Sequence, residues 1–343
     1  MKTGMKALLS AVFCVVCLVL GTVIGSAGLS LKDTMSILGY RLFGLALPEH
    51  ISNVAVSILW TIRLPRVVAA FLVGAALSVS GAVMQSVLRN PLASSYTLGV
   101  SSGASLAAAA VLLSGIALPL LPSLTRPAAG FIGGMGTVFL AMGLAVRFDR
   151  NMENVTIILT GMVLGLFVNA FLTILTALSG DHLRLLVFWQ MGSFGDMKWR
   201  ACGIVGVALV VCLTLLVGLS REMDLMTFGE EQALSAGVQL KRVKSILLLL
   251  STLLTGAAVS FAGIIGFADL IVPHVTRRLF GSRHRVTLPM NALLGGGFMV
   301  LADLIARTVM APRELPVGAI TALVGAPFFA WIYFHRRGGA RHD

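Results

Sequence analysis

Few side chains in this 343-residue chain could carry chemistry: it has 14 acidic residues, 6 histidines and 4 cysteines. Cys14 and Cys17 stand in a C-x-x-C pair, the spacing of a metal-binding or redox dithiol. No second pair or nearby histidine completes a site. Cys14, Cys17, Cys202 and Cys212 all fall in apolar runs, which fits inert cysteines facing lipid. Asp269 and Asp303 are the acids a proton- or sodium-coupled carrier would use, because such carriers hold carboxylates inside the membrane. Both are expected near the outer face, and Arg307 follows Asp303 by one helical turn, a natural partner. Asn169 stands alone in "LGLFVNAFLTIL", facing either a path or a neighbouring helix. No H-E-x-x-H, G-x-S-x-G or aspartate-rich diphosphate motif is present, so an intramembrane enzyme has no visible nucleophile or metal cluster. No G-x-x-x-x-G-K-[ST] is present either, so the chain has no P-loop of its own for ATP. No metal site is assigned.

These sparse groups must be positioned by membrane helices. Hydrophobic residues make up 57% of the chain and charged residues 12%, against about 25% charged in a soluble domain. The net charge of +12 is spread singly between apolar runs, without the basic patch that nucleic acid requires. Charge-free runs cover 7–31, 67–88, 90–125, 127–146, 154–180, 201–220, 245–268, 286–302 and 315–334, with a short one at 270–276 that, extended back to Gly266, gives a tenth, short span. A spanning helix needs roughly 20 apolar residues. The pattern predicts an all-α polytopic membrane protein of about ten transmembrane helices, the second to fifth and seventh to tenth forming two halves. Lys2 and Lys6 precede the first run as in a signal peptide, but the run is long and lacks an A-x-A site, so a retained helix is expected. With the N-terminus inside, 16 of the 26 bases, among them Lys2, Arg89, Arg150, Lys244 and Arg341, fall on the cytoplasmic side. Both termini are then cytoplasmic.

Two segments echo each other at an offset of 182 residues: "LVGAALSVSG" (72–81) and "LTGAAVSFAG" (254–263). Pro91 and Pro273 keep the same offset. Small residues serve any close helix contact, so the match reflects either shared packing chemistry or a repeated fold unit. In the second case the repeat is inverted, since the second helix runs inward and the seventh outward.

The ordered set "IRLPR", "GAALSVSGAVMQSVLRNPLA", "LGVSSGAS", "FWQMGSFGDMKW", "GFADLIVPH", "LADLIAR" and "ELPVGAITALVGAPFF" resembles the FecCD-type permease subunits of ABC importers for iron-siderophores, haem and cobalamin. The resemblance covers nearly the whole chain. It implies a type II importer permease, one transmembrane domain over 1–343, acting as a homodimer on two cytoplasmic ATPase subunits. An extracytoplasmic substrate-binding protein delivers cargo. The chain itself binds no cofactor, is not an enzyme and leaves ATP to its partner. It is placed in a bacterial or archaeal cytoplasmic membrane. A siderophore complex is the first expectation for cargo, then haem, then cobalamin. A stand-alone secondary transporter and an intramembrane enzyme are the rival readings.

The resemblance also implies sites. Asn90, Pro91 and Leu92, after the second helix, match a cytoplasmic gate, where Pro91 breaks the helix and lacks a donor. A plain interhelical turn is the alternative. Asn154 and Val155 match a second gate before the fifth helix, although "RNMENVT" departs from the small hydroxyl residues expected there. The loop 228–242, with Gly229, Glu230, Glu231, Ala233 and Gly237, matches the segment that couples to the ATPase, and Ala233, Leu234 and Val238 share a face suited to a partner. Arg63, Arg66 and Arg307 match positions that hold carboxylates of the binding protein, for which the planar guanidinium is suited. Interfacial snorkelling is the alternative for the first two. Asp269 departs from an expected glycine; a hydrated turn or a cargo contact on the pathway is expected for it, and His274 is expected to be structural.

Overall fold

A computed structural model describes residues 3–25, 29–119, 121–149 and 152–339. Lys2, Arg150 and Arg341, among the bases expected in the cytoplasm, lie outside them. The described residues form α1 (Thr3–Val23), α2 (Leu31–Phe43), α3 (Asn53–Ser57), α4 (Leu64–Val87), α5 (Val100–Ser114), α6 (Thr125–Phe148), α7 (Asn154–Ala177), α8 (Leu183–Gln190), α9 (Trp199–Gly218), α10 (Ser220–Phe228), α11 (Glu230–Ser235), α12 (Leu240–Ala262), α13 (Ala268–Phe280), α14 (His284–Thr308) and α15 (Val317–Gly339). Among the described residues, seven spans are long and apolar enough to cross a membrane. The apolar helices α5 and α15, and the 13-residue α13, complete the ten expected from the charge-free runs.

The largest departure concerns the second helix. A π-helical turn, Ile58–Arg63, joins α3 to α4, so the apolar span runs from Asn53 to Val87 rather than starting at residue 67. Cations are costly in hydrocarbon, which makes Arg63 and Arg66 look like a boundary in the sequence. Both are buried inside the bundle, where partners offset that cost, and the helix continues through them.

α4 is the central helix. Its apolar window is 83% buried, against 22% for α7. It packs on α9, α12, α13 and α14, while α5, α6 and α7 form a group beside it. Lipid offers no hydrophobic drive for helix association, so close van der Waals contact and interhelical hydrogen bonds must do this work. Gly81 shows how close: a Cβ there would lie 1.9 Å from the Asp269 carbonyl oxygen of α13. Ser80 Oγ is bonded to Ser95 Oγ, to Thr255 Oγ1 at 2.7 Å and to the Ser251 carbonyl at 2.7 Å, which joins α4, α12 and the segment before α5. The four cysteines are buried against neighbouring helices, between 1% and 6% exposed, rather than turned to lipid as expected. α7 by contrast exposes Leu159, Val163, Leu166, Phe167 and Ile174.

Candidate functional site

On one face of the bundle, α4 ends in a tight turn. Arg89 adopts a left-handed conformation (φ 50°), the Asn90 amide donates to the Gln85 carbonyl, and Asn90 Oδ1 accepts from the Leu92 amide at 2.9 Å. Pro91, which has no amide to satisfy, lies exposed beside Leu92, 60% exposed. The turn is fastened to α13. Gln85 Nε2 donates to the Asp269 carbonyl at 3.2 Å, Ser94 Oγ donates to Asp269 Oδ2, and Arg277 donates to Gln85 Oε1. Asp269 therefore packs against the Gln85 end of α4, not near the opposite face as expected. At 2% exposure it lines no path in this conformation. Phe267, left-handed at φ 67°, and Gly263 let the chain turn back after α12, so α13 starts inside the bundle. Asp269 falls in its first turn, where the helix dipole favours an anion. Asn169 is exposed on α7. The ring of His274 meets Phe328 edge-on.

The same face carries α10 and α11. Asp224 of α10 accepts from the His284 backbone amide at 3.0 Å and meets His284 Nδ1 at 2.6 Å, capping α14. Gly229 opens α11 at φ 138°, and Gly237 closes the loop at φ 84°. Of the apolar face expected to wait for a partner, Ala233 (0% exposed) and Val238 (8%) are buried in the chain's own core, because the loop folds back onto the bundle; Leu234 alone of the three is exposed. Glu230 also turns inward. Its Oε1 accepts from Lys244 Nζ at 2.7 Å, and the same ammonium donates to Asn154 Oδ1 and the Met152 carbonyl, each at 3.1 Å. Glu231 stays exposed, as does Val155 at 64%. The start of α11 and the start of α7, distant in sequence, thus meet at one buried lysine.

On the opposite face Arg63, Arg66 and Arg307 come together, with their guanidiniums turned inward. Arg66 donates through Nε and Nη2 to Asp303 at 2.8 to 3.0 Å and through Nη1 to Glu314 at 2.8 Å. Asp303 has Arg66 as its main partner; Arg307 Nε lies 3.5 Å away. Arg63 donates to the Val23 carbonyl, and Arg307 to those of Gly21 and Ile24, closing the open carbonyls at the end of α1. Nearby, Ser30 and Asp33 form a capping box at the start of α2, and His50 Nε2 lies 2.9 Å from Asp33 Oδ1. The hydrogen bonds from His50 and then Ser30 hold the Asp33 carboxyl down at about 2.

Lys244, Gln85, Ser94 and Glu314 join the site without having stood out in the sequence. Only Lys244 carried a usable signal: a lysine just inside the start of an apolar helix, where the dipole disfavours a cation. The places of the others are set by long-range packing.

Residues 13–335 match the FecCD transport family. Over 329 residues the chain is 40% identical to YvrB, an uncharacterized ABC transporter permease protein of Bacillus subtilis, covering 96% of this chain and 93% of that protein. It is 40% identical to the cobalamin import system permease protein BtuC of Halobacterium salinarum, covering 80% and 73%. It is 38% identical to the hemin transport system permease protein HmuU of Yersinia pestis, covering 83% and 86%. A solved inward-facing ABC transporter, described as of metal-chelate type, superposes with a TM-score of 0.82 over 95% of this chain and 97% of that one, at 29% identity.

Proposed function

The chain belongs to the FecCD transport family, and we propose that it conducts a chelated metal complex, first an iron(III)-siderophore and otherwise haem or cobalamin. It is the multi-pass permease subunit of a binding-protein-dependent ABC importer, a class that works with a separate ATPase and a substrate-binding protein. The observation that carries this is the superposition on a metal-chelate type transporter along almost the whole chain. The curated relatives carry different cargos, cobalamin and hemin, so the order of candidates rests on the breadth of the family.

Two copies form the pathway in this proposal, with the exposed apolar side of α7 at its wall, and two ATPase subunits sit on the α10–α11 face in the cytoplasm. Both chain ends are cytoplasmic, in a bacterial or archaeal membrane. ATP is bound and hydrolysed by the partner; the chain holds no cofactor. Glu231 and Leu234 present themselves to the ATPase, while Gly229 and Gly237 set the ends of that segment. The Asn90–Leu92 turn and the Asn154–Val155 segment narrow the cytoplasmic exit. The cluster of Arg63, Arg66, Arg307 and the half-exposed Glu314 marks the face that receives the binding protein.

Proteoliposomes holding the permease, its ATPase and its binding protein test the proposal. ATP-dependent uptake of a 55Fe-labelled hydroxamate siderophore is the expected result, with labelled haemin and cyanocobalamin as the alternatives. Uptake by the permease alone, driven by an ion gradient, would instead make it a secondary carrier.

A further inference from the structure

The Lys244 ammonium has three N–H donors, and each meets one oxygen: the Met152 carbonyl before α7, Asn154 Oδ1 at the first residue of α7, and Glu230 Oε1 at the first residue of α11. Lys244 itself stands near the start of α12 and is 1% exposed. A buried cation is costly unless fully paired, and a helix start is the wrong end for one. The position is therefore explained by what the ammonium joins rather than by the stability of α12. Met152 supports this. It is a non-glycine residue held left-handed at φ 54° with its side chain fully buried, and Ser245, next to Lys244, places its hydroxyl 3.7 Å from the Met152 sulfur. A strained turn persists where its surroundings over-determine it. Here two adjacent residues of α12 hold it.

We propose that Lys244 is the positioning residue that transmits movement of α11 to the start of α7, so that the ATPase sets the Asn154–Val155 gate through the Glu230–Lys244–Asn154 link. Glu230 on this account is an internal lever arm, and docking is left to Glu231 and Leu234. The link rests on the reading of α11 as the ATPase contact and of residues 154–155 as a gate. Through Asp224 and His284 the same segment is tied to α14, so α10 and α11 are anchored on both sides and a push on α11 has a defined outlet at α7.

A Val155→Cys permease bound to its ATPase tests this, since Val155 is exposed and the native cysteines are buried. Its rate of labelling by a membrane-impermeant maleimide, added from the ATPase side, is compared between nucleotide-free and vanadate-trapped complexes. The wild-type link should give a change of about tenfold, within the usual range of coupling between sites. Lys244→Met, Glu230→Gln and Asn154→Ala should each reduce it to about twofold or less, and Glu230→Gln with Asn154→Ala should be no worse than either alone, as for one link broken twice. The last two substitutions keep the test open should Lys244→Met fail to fold. A purely stabilising Lys244 would lower the melting temperature but keep the nucleotide response, and that outcome overturns the proposal, as do additive effects in the double variant. Failure of the unmodified complex to respond, or of the permease to bind an ATPase, would instead overturn the gate or coupling reading on which it rests.

Discussion

Replacing Arg66 by methionine removes its contacts to Asp303 and its contact to Glu314. Asp303, 2% exposed at its side chain, would keep only Arg307 Nε at 3.5 Å. Breaking a buried pair on one side leaves an uncompensated charge and costs about 3–5 kcal/mol. Neutral interhelical hydrogen bonds in membranes average about 0.6 kcal/mol, so a loss of this size can come only from the ion pair. Glu314 is 48% exposed, and Glu314→Gln should cost no more than about 1 kcal/mol after solvent screening. Arg66→Met with Asp303→Leu replaces both charges by apolar groups and should recover most of the loss. Reversible unfolding in bicelles measures all three. The double variant then separates structure from function: if Arg66 also holds the binding protein, the refolded double variant should bind it about ten- to a hundredfold more weakly. A loss below about 1 kcal/mol in Arg66→Met, or a double variant no better than the single one, would refute the buried-pair argument.

The same geometry sets other outcomes. Asp33 is held at about 2, below the ordinary carboxylate value of about 4; its contribution to the α2 cap is complete above about pH 4 and is lost as pH falls through about 2, so amide exchange at the start of α2 should speed up over that interval, and Asp33→Asn should remove the pH response. Gly81→Ala puts a methyl against the Asp269 carbonyl at 1.9 Å and should cost about 1–3 kcal/mol in the same unfolding assay; an unchanged midpoint would mean that α13 can move away. Leu92→Cys, exposed at the α4 turn, should cross-link between two copies with a yield that changes with nucleotide, and a constant yield counts against a gate there. Glu231→Arg reverses an exposed charge on α11 and should weaken pull-down of the ATPase without lowering thermal stability; an intact complex would move the docking site elsewhere.

The helices were legible because hydrocarbon imposes its own length on apolar runs, and charge marks their ends. That rule misplaces an end where a charge is buried and paired. Arg63 and Arg66 are such a case: their partners, Val23, Asp303 and Glu314, lie far away in sequence, and no local pattern announces them. Asp269 misled for a related reason. Its neighbours in the chain suggested a hydrated turn, whereas its environment is made by Ser94 and Gln85. The E-E-x-A segment does not tell its inner side from its outer one, since Glu230 and Glu231 look alike until Lys244 selects one of them. Residue types alone do not say which way a side chain faces; tertiary contacts decide it.

The internal echo shows how far such a pattern reaches. Ser80 meets Thr255, and Met84, one turn later, meets Ser251, one turn earlier, so α4 and α12 run antiparallel, as an inverted repeat requires. The copies part at their last shared glycine. Gly81 lies within α4, and six residues of the helix come after it. Gly263 ends α12 at φ 75° and ψ −167°. Both lie against foreign backbone, Gly81 against the Asp269 carbonyl and Gly263 against the Trp189 carbonyl, and neither place has room for a Cβ. The same residue is needed in both copies for close approach, while only Gly263 also needs the left-handed half of φ. The residues just beyond each glycine decide the difference: "AVMQSV" continues a helix, and "IIGF" turns the chain so that α13 can start inside the bundle. Pro91 and Pro273 diverge with it, one in the turn after α4 and the other within α13. A sequence repeat here preserves a packing contact rather than a secondary structure. The asymmetry it allows is what brings Asp269 to Ser94, just beyond the Asn90–Leu92 turn.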